Sequence, residues 1–148
     1  MKQVLVILLF LTTSLIANSQ KSEIYIKDGK AIQGYDVVAF HLEQKPILGN
    51  SSFIFNWKGA DWYFLTESNL KLFKLNPEKY APQFGGYCAY GASDGDGHKA
   101  PTKIETWTLL NEKLYFNYNL KVKELWNKNQ TIFIEKAEIN WPKIKDKE

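Results

Sequence analysis

Residues 52–65 constrain the fold more than any other stretch of the chain. Phe53, Phe55 and Trp57 alternate along one arm, Lys58-Gly59-Ala60-Asp61 offers a turn, and Trp62-Tyr63-Phe64-Leu65 makes the return arm. Period-two alternation on either side of a glycine turn predicts a β-hairpin whose cross-strand pairs are largely aromatic. Aromatic residues make up 15% of the chain. Each large ring removes roughly 150–250 Å² from water when buried, so a small domain with this hairpin can build a firm core without disulfide staples.

The flanking segments read as short elements around it. Upstream, residues 23–26 form a strand candidate closed by Asp28-Gly29, and residues 34–41, rich in β-branched and aromatic side chains, form another. Downstream, Thr66 caps a helix over residues 67–75, with Leu70 and Phe73 facing the sheet. Pro77 opens one further helical turn. A second hairpin spans residues 107–117, turning at Asn111-Glu112-Lys113. Asn119 caps a helix carrying Val122, Leu125 and Trp126. Thr131 caps a last helix with Phe133, Ala137 and Trp141 on one stripe, stopped by Pro142. The expected class is α+β: a small antiparallel sheet built from two aromatic hairpins, packed by short helices, with a C-terminal helix pair.

Residues 1–19 differ from the rest. Lys2 precedes an apolar run from Val4 to Ile16, and Ala17-Asn18-Ser19 places small residues at a cleavage site. This predicts a secretory signal peptide, a mature domain over residues 20–142, and a charged tail over 143–148. The run is shorter than the ~18–20 apolar residues a spanning helix needs, so no membrane span is expected after cleavage. The expected location is periplasmic or extracellular. All nineteen basic residues are lysine. The lack of arginine forks, with acidic residues interspersed, argues against a nucleic-acid partner.

The single cysteine, Cys88, lies in Gly85-Gly86-Tyr87-Cys88-Ala89-Tyr90, so no intramolecular disulfide is possible. Three roles stay open for it. As a ligand it suits soft ions such as copper(I) or zinc, with His41, His98, Asp36, Asp94 and Asp96 as available partners. As a nucleophile it needs a base, for which His98 is the candidate. As a core residue it is a small buried hydrophobe. Asp36 is either a site carboxylate facing Cys88 or a side chain bonding nearby amides. Tyr87 and Tyr90 are either pocket lining or the polar edge of the core. Asp94-Gly95-Asp96-Gly97 suggests calcium, but His98 and Lys99 stand where such a loop needs other residues.

Trp57-Lys58-Gly59, Tyr63-Phe64, Phe73 and Asn76-Pro77-Glu78-Lys79-Tyr80 resemble the core of the YHS domain. Gly34-Tyr35-Asp36, Phe84-Gly85-Gly86-Tyr87-Cys88-Ala89 and Lys113-Leu114-Tyr115-Phe116-Asn117 are similar to its exported bacterial branch, marked by a Gly-Gly-Tyr-Cys motif. The resemblance implies a hairpin-plus-helix unit, associated in metal-handling members with heavy-metal or copper biology. The cysteine positions of those members fall here at Ala39, Leu65 and Asn69. The expectation that follows is a non-enzymatic binding or accessory module of the cell envelope. It would hold a metal ion (copper or zinc) or a small ligand near Asp36, Tyr87, Cys88 and Tyr90, with Cys88 and His98 as metal ligands. The alternative is a protein-interaction or structural module in which Cys88 is buried and inert. That alternative predicts a large exposed aromatic patch.

Overall fold

The computed structural model describes residues 22–147, so the segment read as a signal peptide lies outside the described residues. Four strands form one sheet in the order β1-β2-β4-β3: β1 (Ile26–Lys27), β2 (Lys30–Ala31), β3 (Asn50–Trp57) and β4 (Ala60–Phe64). A separate ribbon pairs β5 (Thr108–Leu110) with β6 (Lys113–Tyr115). Six α-helices accompany them among the described residues: α1 (Val37–Leu42), α2 (Glu67–Leu75), α3 (Pro77–Tyr80), α4 (Ala89–Ser93), α5 (Leu120–Asn127) and α6 (Gln130–Ile144). The α+β class therefore stands. The two hairpins, however, occupy different sheets, and β2 joins β4 in parallel through Lys30 and Asp61. Among the described residues no helix is long and apolar enough to cross a membrane.

All three hairpin connections have two residues, both with positive φ: Asp28-Gly29, Lys58-Gly59 and Asn111-Glu112. This is the turn whose twist matches that of the strands it joins. The loop after β3 is thus Lys58-Gly59 alone, with Trp57 paired to Ala60. Trp62 and Phe64 of β4 are buried against Phe73 of α2, with ring centroids 5.0 and 5.1 Å apart. Trp57 meets Phe73 edge-on at 5.6 Å. Thr66 and Asn119 cap α2 and α5 as expected, and Pro77 occupies the first turn of α3.

Four expectations are corrected. Residues 34–41 are not a strand. Asp36 is an N-cap whose Oδ1 accepts from the amides of Val38 and Ala39, at 2.9 and 3.3 Å, and this starts α1. An unbroken apolar run fits a buried helix as well as a buried strand, and here the cap decides. The strand expected at 23–26 is reduced to Ile26–Lys27. The last helix begins at Gln130 behind Asn129, not behind Thr131. It runs through Pro142 to Ile144, which is buried, so the tail is not free from residue 143. Proline near a helix end removes a single backbone bond, which the packing of Ile144 offsets.

Two apolar clusters result. One gathers Phe40, Trp62, Phe64, Phe73, Leu114 and Phe116 between the large sheet, α1 and α2. The other gathers Phe84, Ala92, Tyr115, Trp126, Ala137 and Ile144 among α4, α5 and α6. Strand β6 and the residue after it divide them: Leu114 and Phe116 face the first, Tyr115 the second. The other carboxylate oxygen of Asp36, Oδ2, accepts from the amide of Leu65 at 2.8 Å and from Asn69 Nδ2 at 2.7 Å. Asp36→Ala should cost at least about 3 kcal/mol, since hydrogen bonds to a charged group are worth about 1.5–3 kcal/mol each. Urea unfolding of Asp36→Ala checks this, with Asp36→Asn expected between it and the native chain.

Candidate functional site

The Gly-Gly-Tyr-Cys stretch is placed by close backbone approach. Gly85 has φ +59, and a Cβ there would lie 1.8 Å from the Glu23 carbonyl oxygen. Tyr25 donates its amide to the Gly85 carbonyl at 2.8 Å. Gly86, at φ +84, would put a Cβ 2.3 Å from Ile32 Cδ1. Two side-chain-free residues with positive φ are therefore what lets the N-terminal segment lie against this loop.

Cys88 follows, and it is 2% exposed. Its amide donates to the Ala100 carbonyl, and the following amide, that of Ala89, donates to the Phe116 carbonyl. The sulfur is the N-cap of α4. Sγ accepts from the amides of Gly91 (3.4 Å) and Tyr118 (3.3 Å), and the thiol donates to Asn117 Oδ1 at 3.6 Å. Asn117 Oδ1 also accepts from the Tyr90 amide, and Thr106 Oγ1 ties both backbone groups of Asn117 to the turn at 104–106. Burial pushes the Cys88 thiol up, against the smaller opposite effect of the backbone amides. At neutral pH it is a thiol with every hydrogen-bonding direction in use.

The other predicted site residues do not converge on it. Asp36 is fully buried, and its carboxylate is committed to Val38, Ala39, Leu65 and Asn69. This is the amide-bonding role, not that of a carboxylate facing Cys88. Tyr87 is 6% exposed and donates its hydroxyl to the Ser22 carbonyl at 2.8 Å. Its ring lies against Tyr25 and Trp141. The Tyr90 ring lies 5.1 Å from that of Phe133, and its backbone amide, which donates to Asn117 Oδ1, is what adjoins the Cys88 group. His98 is exposed, and its amide donates to the Gly91 carbonyl. His41 Nε2 lies 3.3 Å from the Tyr80 carbonyl, and burial lowers its pKa. Among the described residues no three His, Cys, Asp or Glu side chains are grouped to hold a metal. Asn117 is the hub that sequence reasoning missed as a functional position. Its signals were its place at the end of the Lys113–Asn117 motif and a polar residue closing the second hairpin.

Two clefts walled by tryptophan lie away from Cys88. The first, about 220 Å³, runs between the tip of the first hairpin and α6, with Trp57, Phe84, Trp141 and Pro142 in its walls. Its Lys58 is paired with Glu23 (3.0 Å) and Glu78 (3.2 Å), while Glu138 pairs with Lys113. The second, about 610 Å³, opens between β5 and the α5–α6 corner, with Gln44, Trp107, Lys123, Asn127 and Gln130 in its walls. Comparison with known proteins finds no matching family model, no matching curated protein and no matching solved structure.

Burial also pushes the Tyr115 hydroxyl up, to about 12. Like Cys88, Tyr115 ionises more readily in the unfolded chain. Each therefore contributes stability that is complete below its unfolded pKa, near 9.0 for the thiol and 10.0 for the phenol. That contribution is lost as pH rises towards the folded values. Unfolding free energy should be flat with respect to these groups below about pH 9 and fall above it, by up to about 1.4 kcal/mol per pH unit for each. Tyr115→Phe should remove the part of the slope between about pH 10 and 12, as urea titrations across that range would show.

Proposed function

We propose that this chain is a non-enzymatic binding module of the cell envelope, of the YHS-like kind its motifs resemble, with Cys88 as a structural residue. The observation that makes Cys88 structural, and so leaves any binding to the clefts, is the state of the thiol. It is sealed from solvent, accepts from two amides and donates to a third group. A metal ion at Sγ would have to replace the thiol proton where Asn117 Oδ1 now stands, and no group of three His, Cys, Asp or Glu side chains among the described residues is placed to share it. A nucleophile needs a base within hydrogen-bond reach. The groups in reach here are backbone amides and a side-chain amide oxygen.

The reading of a protein-interaction module through an exposed aromatic surface has less support. Of the strongly exposed large apolar side chains among the described residues, only Tyr118 is aromatic; the others, such as Leu75 and Ile139, are aliphatic. The rings are spent on the two cores. Binding through a cleft fits this distribution better than binding through an aromatic face.

A thiol reagent tests the proposal directly. In the native mature chain Cys88 should stay unmodified, and Cu(I) or Zn(II) should change nothing. Modification should begin only at denaturant concentrations that unfold the chain. Fast native-state labelling that either ion suppresses would overturn the structural role and restore a metal site at Cys88.

A further inference from the structure

The two clefts differ in what they leave unsatisfied. In the cleft beside Trp57, the Lys58 ammonium bridges two carboxylates and the third carboxylate has its own lysine partner. The Lys58 ammonium also sits 4.7 Å over the Trp57 ring. Its charges are matched within the protein, and its volume falls below the roughly 300–1,000 Å³ of ligand pockets. The cleft beside Trp107 lies inside that range.

The chemistry of the second cleft is also uneven. Lys123 is half-buried, and its ammonium donates to the Trp107 carbonyl at 2.8 Å. Lys123 is in none of the ion pairs among the described residues, and no acidic side chain lines the cleft. Burial alone lowers its pKa, with no carboxylate contributing an opposite effect. An ammonium has three donors, so the bond to Trp107 leaves two more at a residue that lines the cleft. Around it stand three primary amides: Gln44, Asn127 and Gln130. Each amide both donates and accepts, as hydroxyl groups do.

These groups are positioned, not scattered. Lys123 and Asn127 are one helical turn apart on α5, so they share a face. Gln130 opens α6, and its Nε2 donates to Asn127 Oδ1 at 2.9 Å. Gln44 follows α1 with φ +51, the left-handed conformation that turns a chain sharply off a helix end. Trp107 is held from behind by Phe40, with ring centroids 5.5 Å apart, and supplies a rigid flat wall.

We propose that this cleft binds an acidic saccharide, a sugar ring carrying one carboxylate. The carboxylate would meet Lys123, the hydroxyls would meet the three amides, and the apolar face of the ring would lie against Trp107. One cation matches one carboxylate. A phosphate, with nearly two charges at neutral pH, would find neither a second cation nor an arginine fork here. The inference rests on reading the chain as a binding module and adds the class of its ligand.

The experiment is a titration of the mature chain with tri-galacturonate, its neutral methyl ester and acetate, followed by amide and indole NMR signals. Tri-galacturonate should shift the Trp107 indole and the Asn127 and Gln130 side-chain amides. The methyl ester and acetate should each bind at least about tenfold more weakly. Lys123→Gln should lower the affinity for tri-galacturonate by at least about tenfold, and Asn127→Ala, with Lys123 kept, by a smaller factor. Equal binding of acetate, shifts confined to the cleft beside Trp57, no shift at millimolar sugar, or unchanged affinity in both variants would each overturn it. Absence of sugar binding with Cys88 still unreactive would remove the ligand class and leave the module reading. A reactive, metal-protected Cys88 would instead overturn its structural role and move the module's binding site to Cys88.

Discussion

The Asp36 carboxylate is the interaction on which the first half of the chain depends. It is fully buried, and its two oxygens accept from four donors on three elements: the first turn of α1, the residue after β4, and the first turn of α2. A buried charge is tolerated when its acceptor capacity is filled. Filling it here orders the connections between the large sheet and its two covering helices. The aromatic core supplies most of the apolar burial. Burial is non-directional, however, and would hold the same rings in more than one arrangement. Asp36 selects the arrangement in which Phe40 points at Phe116 and Phe73 lies across β4.

A second knot does the same for the other half, with a softer acceptor. Cys88 Sγ caps α4 and holds the Tyr118 amide, while Asn117 and Thr106 tie the end of the second hairpin to the turn before it. Sulfur is a weak acceptor, and its bonds here are long. Its merit is size and polarisability. It fills a small apolar site while still meeting two amides that would otherwise be orphaned. This is how a lone cysteine serves the fold without a partner cysteine.

How much of this was legible depends on the range of the interaction. Hairpins, caps at Thr66 and Asn119, and the Pro77 turn are local, and their residues announce them. Asp36 misled because its decisive bonds, to Leu65 and Asn69, span about thirty positions, and because Val37-Val38-Ala39-Phe40 suits a strand or a buried helix equally. Gly85-Gly86 was legible as a sharp or close-packed backbone, though not as a seat for Glu23 and Ile32. The proposed convergence at Cys88 failed for a related reason. Asp36 and Tyr87 are bonded to groups far from Cys88, the Cys88 sulfur is turned to backbone amides, and His98 stays exposed.

The same logic locates what is left over. In a fold this small, a half-buried charged group without a counter-charge is informative. Lys123 is such a group. Its carbonyl partner belongs to Trp107, whose ring is anchored in the first core, while its neighbours Asn127 and Gln130 belong to the helix pair of the second. The rigid wall and the polar wall of that cleft therefore come from different halves of the molecule, and the cleft exists only where the two cores meet. Neither core needs the ammonium for its own packing. A lysine held half-buried with a carbonyl partner but no counter-charge recovers only part of its desolvation cost, and an anionic ligand is the simplest agent that would recover more.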